Sequence, residues 1–153
     1  MLRFERTRDT ELVRGTVTHP RLWRWHTEDG APAPEDWTPH THDERIWFVG
    51  VWDGAEYLGL FALLPSDETT WEIHTYLLPH SWGERALRAY RDGIAWVWAN
   101  TARTKILGAI PEDNRLALRI AARAGLQRIK KAPRRQRLKN GKPMRIVHME
   151  ITK

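Results

Sequence analysis

Three titratable side chains alternate along one short stretch of the sequence. Glu72, His74 and Tyr76 lie two residues apart within residues 71–78, whose partly apolar faces predict a central β-strand. Side chains two apart on a strand share a face. A carboxylate and an imidazole there can take a proton, and a phenol can donate one. The alternative is structural: Glu72 pairs with an arginine, His74 is a satisfied core histidine, and Tyr76 is a half-buried strand tyrosine.

The same strand leads into a turn that suits an anion. Pro79 ends the strand because proline cannot donate to a sheet ladder. Residues 80–83 form a glycine turn, and apolar residues then recur at helical spacing from Leu87 to Trp98. The first N–H groups of a helix have no intrahelical acceptor, and the helix dipole is positive there. The stretch therefore predicts an anion site, typically for a phosphate.

The basic residues are concentrated in the C-terminal third. Residues 114–148 contain twelve Lys or Arg and no Asp or Glu, whereas the rest of the chain has 13 basic and 19 acidic residues. Such a region attracts polyanions, either nucleic acid or a phosphate-rich cofactor. The alternative is a solvated basic face that aids solubility.

Composition limits the class of protein. With 153 residues and 41% hydrophobic residues, the chain is expected to fold as one domain, residues 1–153. Cysteine is absent, which excludes disulfides, thiol nucleophiles and cysteine metal sites. No apolar run approaches the roughly 20 residues of a membrane span. We expect a cytoplasmic protein that does not enter a membrane. His40 and His42 beside Asp43 lack a matching third ligand, so no metal site is predicted.

A strand meander and a helical crossover must position these groups. Strands are expected at residues 2–6, 46–52, 57–64, 71–78, 105–110, 126–131 and 144–151. A helix is expected from Asp9 or Thr10 to about Thr18, a long helix follows Gly83, and a helix capped by Asn114 ends at Gly125. Residues 19–42 are expected to form a long proline-broken loop, with a helical or irregular contact near Trp23. The crossover makes the 105–110 strand parallel to the 71–78 strand.

Three motifs in this order resemble those of the GNAT superfamily of N-acetyltransferases. Residues 57–59, YLG, are similar to the apolar-apolar-glycine signature of its third strand. Residues 77–83, LLPHSWG, resemble the end of its fourth strand and the pyrophosphate loop. The spacing N-x-x-A-x7-G-L that begins at Asn114 matches its fourth helix. The resemblance covers roughly residues 46–151, and small phage-associated members of the superfamily are also similar.

The resemblance implies an α+β fold and a cofactor. The fold would be a central mixed, mostly antiparallel sheet of six to seven strands, splayed between strands 4 and 5 and flanked by about four helices. Acetyl-CoA would lie between the splayed strands, with its pyrophosphate on backbone N–H groups of residues 81–86 and its pantetheine arm along residues 76–78 like an added strand. The implied cofactor-contacting residues are Leu77, Leu78, His80, Ser81, Trp82, Gly83, Glu84, Arg85, Ala86, Asn114 and Ala117.

Three positions depart from the family pattern. Arg85 stands where the pyrophosphate loop usually has a second small residue, so its side chain either crowds a phosphate or turns aside and pairs with one. The Glu84 carboxylate interacts favourably with the positive end of the helix dipole, but it would repel a bound anion. Ala121 occupies the position of the frequent helix-four tyrosine that reprotonates the CoA thiolate, so that role is vacant or filled from elsewhere.

The implied activity is transfer of an acetyl group from acetyl-CoA to an amine by direct attack, without a covalent enzyme intermediate. Glu72 and His74 would supply the base, with Tyr76 as a proton donor and His148 as a further base candidate. The tryptophan-rich loop would shape the acceptor pocket, and the basic C-terminal strands favour an anionic acceptor or serve CoA alone. A homodimer is compatible with the resemblance. The alternative function is an inert GNAT-fold module whose basic region binds nucleic acid or another polyanion through phosphate contacts.

Overall fold

A computed structural model describes residues 1–131 and 135–153, and most of its strands follow the apolar runs of the sequence. The strands are β1 (Leu2–Thr7), β2 (Trp47–Asp53), β3 (Glu56–Pro65), β4 (Thr70–Leu77), β5 (Lys105–Pro111), β6 (Gln127–Arg128), β7 (Gln136–Lys139) and β8 (Lys142–Thr152). The helices are α1 (Thr10–Val17), α2 (Pro20–His26), α3 (Glu84–Asn100) and α4 (Arg115–Arg123), with single 3-10 turns at Pro34–Asp36 and Pro79–Ser81.

Helices α1 and α4 begin at the capping residues that the sequence indicated, and α4 ends before the expected glycine. The Asp9 carboxylate accepts hydrogen bonds from the N–H groups of Glu11 and Leu12 at the start of α1. The Asn114 side chain accepts from Ala117 N–H at the start of α4. Gly125, with a φ of 104°, ends α4 in the left-handed conformation that favours glycine. None of the helices in the described ranges is long and apolar enough to cross a membrane.

The strands form one sheet whose order is β1-β2-β3-β4-β5-β8-β6, with β7 paired to β8. Neighbours from β1 to β4 are antiparallel, as the turns at residues 54–55 and 66–69 require. The crossover through α3 makes β5 parallel to β4. The predicted α+β architecture is therefore confirmed, including its mostly antiparallel sheet and its four helices.

The parallel pair is the point where the sheet opens. β4 and β5 pair only at Thr70–Lys105, Trp71–Ile106 and Glu72–Leu107, and the remainder of β4 has no partner on that side among the described residues. β5 continues instead along β8 as far as Pro111. The predicted splay between strands 4 and 5 is confirmed, and it leaves backbone at the edge of β4 free for a ligand.

Two apolar clusters hold the helices to the sheet. On one face, α3 and α4 pack against β3, β4 and β5, with Phe61, Ile94 and Ile106 at most 3% exposed. On the other face, α1 packs Val13 and Val17 against β2 and β3. Burying an aliphatic or aromatic side chain of this size stabilises the fold by about 1.5–3 kcal/mol. The splayed strands are thus fixed from both sides.

Gly59 explains the third-strand signature. It has a φ of 131°, and a Cβ there would lie 2.2 Å from the Tyr76 carbonyl oxygen. A larger residue would therefore push β3 away from the end of β4. The glycine lets the two strands approach closely next to the turn that follows Leu77.

The C-terminal strands differ from the sequence prediction. β6 contains only two residues rather than the six expected at 126–131, and β7 lies between the last two expected strands, where no strand was expected. β7 forms a hairpin with β8 around Asn140-Gly141, and the Asp29 carboxylate accepts from both N–H groups of that turn at 2.9 and 2.8 Å. A partner more than 100 residues away therefore fixes this polar strand.

Candidate active site

A cleft of about 210 Å³ fills the opening between β4 and β5. Its walls come from α2, β4, α3, β5, α4 and Arg137 of β7. Of the residues expected to contact a cofactor, five line the cleft: Leu77, Trp82, Ala86, Asn114 and Ala117. Leu116 also lines it and is 45% exposed.

The turn after β4 is fastened to β3. The Ser81 hydroxyl is fully buried. It is within donating distance of two carbonyl oxygens, that of Leu78 at 2.7 Å and that of Leu58 at 3.2 Å. Leu78 N–H also donates to the Leu58 carbonyl, and His80 Nε2 lies 3.0 Å from the Tyr57 carbonyl oxygen. Leu78, His80 and Ser81 thus position the turn and are not part of the cleft wall.

The first turn of α3 faces outward at the end of the cleft. Gly83 precedes the helix with a φ of 88°, which favours glycine, and no side chain caps the helix. Gly83 and Glu84 are exposed, while Ala86 lines the cleft. The unbonded N–H groups of this turn and the positive end of the helix dipole can therefore receive an anion.

The two charged residues of this turn are paired with other elements. Arg85 pairs with Glu56 and lies 3.5 Å from Asp53, both in the β2–β3 hairpin, and this contact lowers the pKa of Glu56. Glu84 pairs with Arg123 of α4 at 2.7 Å, which lowers the pKa of Glu84. The Arg85 side chain thus turns aside, which was one of the two expectations for it. It pairs with carboxylates, however, and not with a phosphate.

Trp82 covers the end of β4. Its indole Nε1 donates to the Leu77 carbonyl at 2.7 Å, and the Arg21 guanidinium lies 4.6 Å from its ring centroid. A carbonyl at the edge of β4 is therefore already occupied by a side chain of this chain. On the opposite wall, Asn114 uses its carbonyl oxygen to cap α4, which leaves its amide N–H groups for the cleft.

Glu72 and His74 form a hydrogen-bonded pair. The Oε1–Nε2 distance is 3.0 Å, and each side chain is 21% exposed. The hydrogen bond from His74 lowers the pKa of Glu72. His74 lines the cleft, and Glu72 stands behind it. The partner of Glu72 is therefore the histidine rather than the arginine that a purely structural interpretation required.

His148 lies on the same face of the sheet as this pair. It pairs across from Ala109 of β5, which lines the cleft, and it is 7% exposed. Its Nδ1 atom is buried with no hydrogen-bond partner among the described residues, and burial lowers its pKa. The lowered pKa favours the neutral form of His148, which does not itself line the cleft.

Similar proteins are found only among solved structures. No family model and no curated protein matches the sequence. Among solved structures, the chain is similar to a spermidine N-acetyltransferase from Vibrio cholerae solved with CoA and spermine, with a TM-score of 0.79 and 15% identity over 99% of this chain and 95% of that one. It is also similar to the aminoglycoside acetyltransferase AAC(6')-Ib solved with coenzyme A, with a TM-score of 0.71 and 14% identity over 100% of this chain and 95% of that one. The chain has the GNAT fold.

The cleft contains a tyrosine from another helix, although Ala121 occupies the position of the frequent helix-four tyrosine of the GNAT superfamily. Ala121 of α4 and Tyr90 of α3 line the same cleft. Burial raises the pKa of Tyr90, so its hydroxyl stays protonated. No sequence pattern indicated a role for this tyrosine, because it falls on the apolar stripe of α3 and has the spacing of a core residue.

Two further residues of the cleft were missed by sequence reasoning. His26 ends α2 and lies against Tyr76, with 4.3 Å between ring centroids. Burial lowers the pKa of His26 to about 3, and His74, Arg137 and Lys139 act in the same direction. Arg137 reaches the cleft from β7. Both residues lie in segments without hydrophobic periodicity, which is why no pattern indicated them.

Tyr76 lies in a second cavity rather than in the cleft. This cavity has a volume of about 380 Å³ and is lined by α2, the segment that follows it, Tyr76 and Arg137. Burial raises the pKa of Tyr76 to about 12. The structure thus brings Glu72 and His74 together but turns Tyr76 towards a different space.

Proposed function

We propose that this chain, as one domain over residues 1–153, transfers an acetyl group from acetyl-CoA to an amine by direct attack. The observation that carries the proposal is the splay of β4 from β5, which opens a cleft leading to the uncapped N-terminus of α3. The solved proteins of the same fold contain CoA together with spermine, or CoA alone.

The walls of the cleft fit such a ligand. The N–H groups of residues 83–86 would hold the pyrophosphate, because Gly83 leaves that turn open and Arg85 is drawn away by Glu56. The apolar walls would hold the pantetheine arm along the free edge of β4, with the Leu77 carbonyl released from the Trp82 indole. Asn114 amide groups would donate to the same arm. Bound in this way, acetyl-CoA supplies the activated acetyl group.

Proton transfer would use groups on both sides of the sheet. His74, supported by its hydrogen bond to Glu72, would take the proton of the acceptor ammonium directly or through water. Tyr90 would donate a proton to the sulfur, in place of the tyrosine that Ala121 replaces. The Tyr76 phenol would instead contact the acceptor, because it lines the second cavity.

Calorimetric titration with CoA tests the cofactor site. We expect CoA and acetyl-CoA to bind and to raise the melting temperature, because free ligand at a hundredfold excess over Kd raises the free energy of unfolding by about 2.7 kcal/mol. Ala117→Phe, which fills the cleft, should abolish binding. Ala122→Phe, on the exposed side of the same helix, is the matched control and should bind normally. No binding by the folded wild-type chain, or unchanged binding by Ala117→Phe, would contradict the proposal.

A further inference from the structure

The second cavity meets the cleft at two residues. His26 and Arg137 line both spaces, whereas His74 lines only the cleft and Tyr76 only the second cavity. His26 and Arg137 therefore mark the place where the two spaces adjoin, on the side of the cleft that His74 lines. This junction is where an acceptor amine would have to lie if the proposed function is correct.

One part of the wall of the second cavity is aromatic and apolar. Trp23 and Trp37 meet edge to face with 5.8 Å between ring centroids, and both line the cavity. Tyr76 and Val17 complete this part of the wall. Flat, rigid aromatic walls bind apolar or aromatic groups with little loss of side-chain entropy.

Arg137 brings a positive charge to the junction without a counter-ion. It forms no ion pair or side-chain hydrogen bond within the described ranges, and it is half-buried. Its charge is close enough to His26 and Tyr76 to influence both titrations. A half-buried guanidinium is stabilised most by a carboxylate or phosphate that it can bind through two N–H groups.

Two of the carboxylates near the junction, those of Asp29 and Glu72, are hydrogen-bonded to other groups. Asp29 also lines the second cavity, but its two oxygens accept from the N–H groups of Asn140 and Gly141. Glu28 is exposed at the rim of that cavity. Glu72 is hydrogen-bonded to His74. The Asp29 contacts also fix the hairpin that carries Arg137, so the guanidinium is held at the junction.

We propose that the acceptor is an amine with a carboxylate a few bonds from its nitrogen and an apolar or aromatic body, as in an aromatic α-amino acid. Arg137 binds the carboxylate, the body lies between Trp23, Trp37 and Tyr76, and the amine reaches His74. The amine nitrogen bonds to the acetyl carbon and the carbon–sulfur bond breaks. The ammonium nitrogen loses two protons in all: the base takes one before attack, and the second, lost after attack, balances the proton that Tyr90 gives to the sulfur. This inference depends on the proposed acetyltransferase function.

Matched acceptor pairs test the inference with the wild-type protein. Acetylation is measured with L-phenylalanine against 2-phenylethylamine, L-tyrosine against tyramine and L-tryptophan against tryptamine, with spermidine as a polycationic amine. Each pair differs only in the carboxylate. We expect kcat/KM to be about 10- to 100-fold higher for the amino acid, the range of one charge-assisted bond to arginine, and spermidine to be a poor acceptor.

Variants of the hairpin locate the effect. Arg137→Gln should remove the preference within each pair, mainly through KM, and Arg137→Lys should restore part of it. Arg145→Gln removes the same charge from the exposed side of the same hairpin and should leave the preference intact. All variants are first checked for CoA binding and melting temperature, so that loss of folding is recognised.

The outcomes separate this inference from the proposed function. If the wild-type protein does not bind CoA, the acetyltransferase proposal itself is wrong. If it binds acetyl-CoA but acetylates the amines or spermidine as well as the amino acids, or acetylates none of the amino acids, the carboxylate inference is overturned. A preference that survives Arg137→Gln in a folded protein would overturn the role of Arg137.

Discussion

On one side of the cleft, the proposed cofactor side (residues 77–86 and α4), most contacts are offered by backbone N–H groups and small or apolar side chains. On the other, the proposed acceptor side (α2, residues 27–37, Tyr76 and β7), they are offered by aromatic and charged side chains. The cofactor side is assembled from two short segments, each with its own sequence motif. The acceptor side joins His26, Tyr76 and Arg137, which are separated by at least 50 residues. A backbone site can therefore be conveyed by a short motif, whereas the acceptor side cannot.

The largest effect is expected where the two sides meet. Replacing Glu72 and His74 together by Gln removes the proposed base, so kcat for acetylation should fall by about 10²- to 10⁴-fold. CoA binding should be unchanged, since neither side chain lies at the α3 turn. Steady-state kinetics and calorimetry measure the two quantities. Glu68→Gln, in the exposed β3–β4 turn, is the control. Unchanged turnover in the double variant would show that the pair is structural.

A smaller effect is expected on the cofactor side from Tyr90→Phe. Loss of the proposed proton donor should lower kcat by about tenfold with little change in KM, because a thiolate leaves more readily than most groups even without a proton. Tyr57→Phe removes a tyrosine hydroxyl that is bonded to Thr16 and lies outside the cleft, so it controls for stability. Equal kinetics of the two variants would exclude Tyr90 as the acid.

His26 on the acceptor side should make the free energy of unfolding decrease in acid. The pKa of folded His26 is about 3 and the ordinary value is 6.5, so below pH 6.5 the unfolded chain binds a proton that the folded chain does not. The free energy of unfolding should therefore decrease as pH falls from 6.5 towards 3, by up to about 2 kcal/mol at pH 5. His26→Gln should flatten this dependence in urea titrations, and His42→Gln, at an exposed loop position, should not. Parallel pH profiles for the wild type and His26→Gln would refute the prediction.

The smallest effect is expected at Arg85. Its pairing with Glu56 predicts that Arg85→Gln changes the Kd for CoA less than twofold at physiological ionic strength. Isothermal titration of this variant measures the change directly. Weakening by tenfold or more would mean that Arg85 leaves Glu56 and binds a phosphate when CoA is present.

The extent of sequence-based prediction follows the same division. The meander, the α3 crossover and the caps of α1 and α4 were predictable because alternation, helical spacing and capping residues are local signals. β7 was not, since the sequence QRLK has no apolar face and depends on β8 and Asp29. The direction of Arg85 depends on Glu56, 29 residues earlier. Tyr90 was hidden because a tyrosine on an apolar stripe has the pattern of a core residue.

The central claim is that the splay between β4 and β5 receives CoA. A crystal structure of the protein grown with saturating CoA tests it most directly. We expect electron density for the pantetheine arm between β4 and β5, with the pyrophosphate against the N–H groups of residues 83–86. A well-ordered cleft without CoA, or CoA bound instead on the basic β7–β8 hairpin, would contradict it.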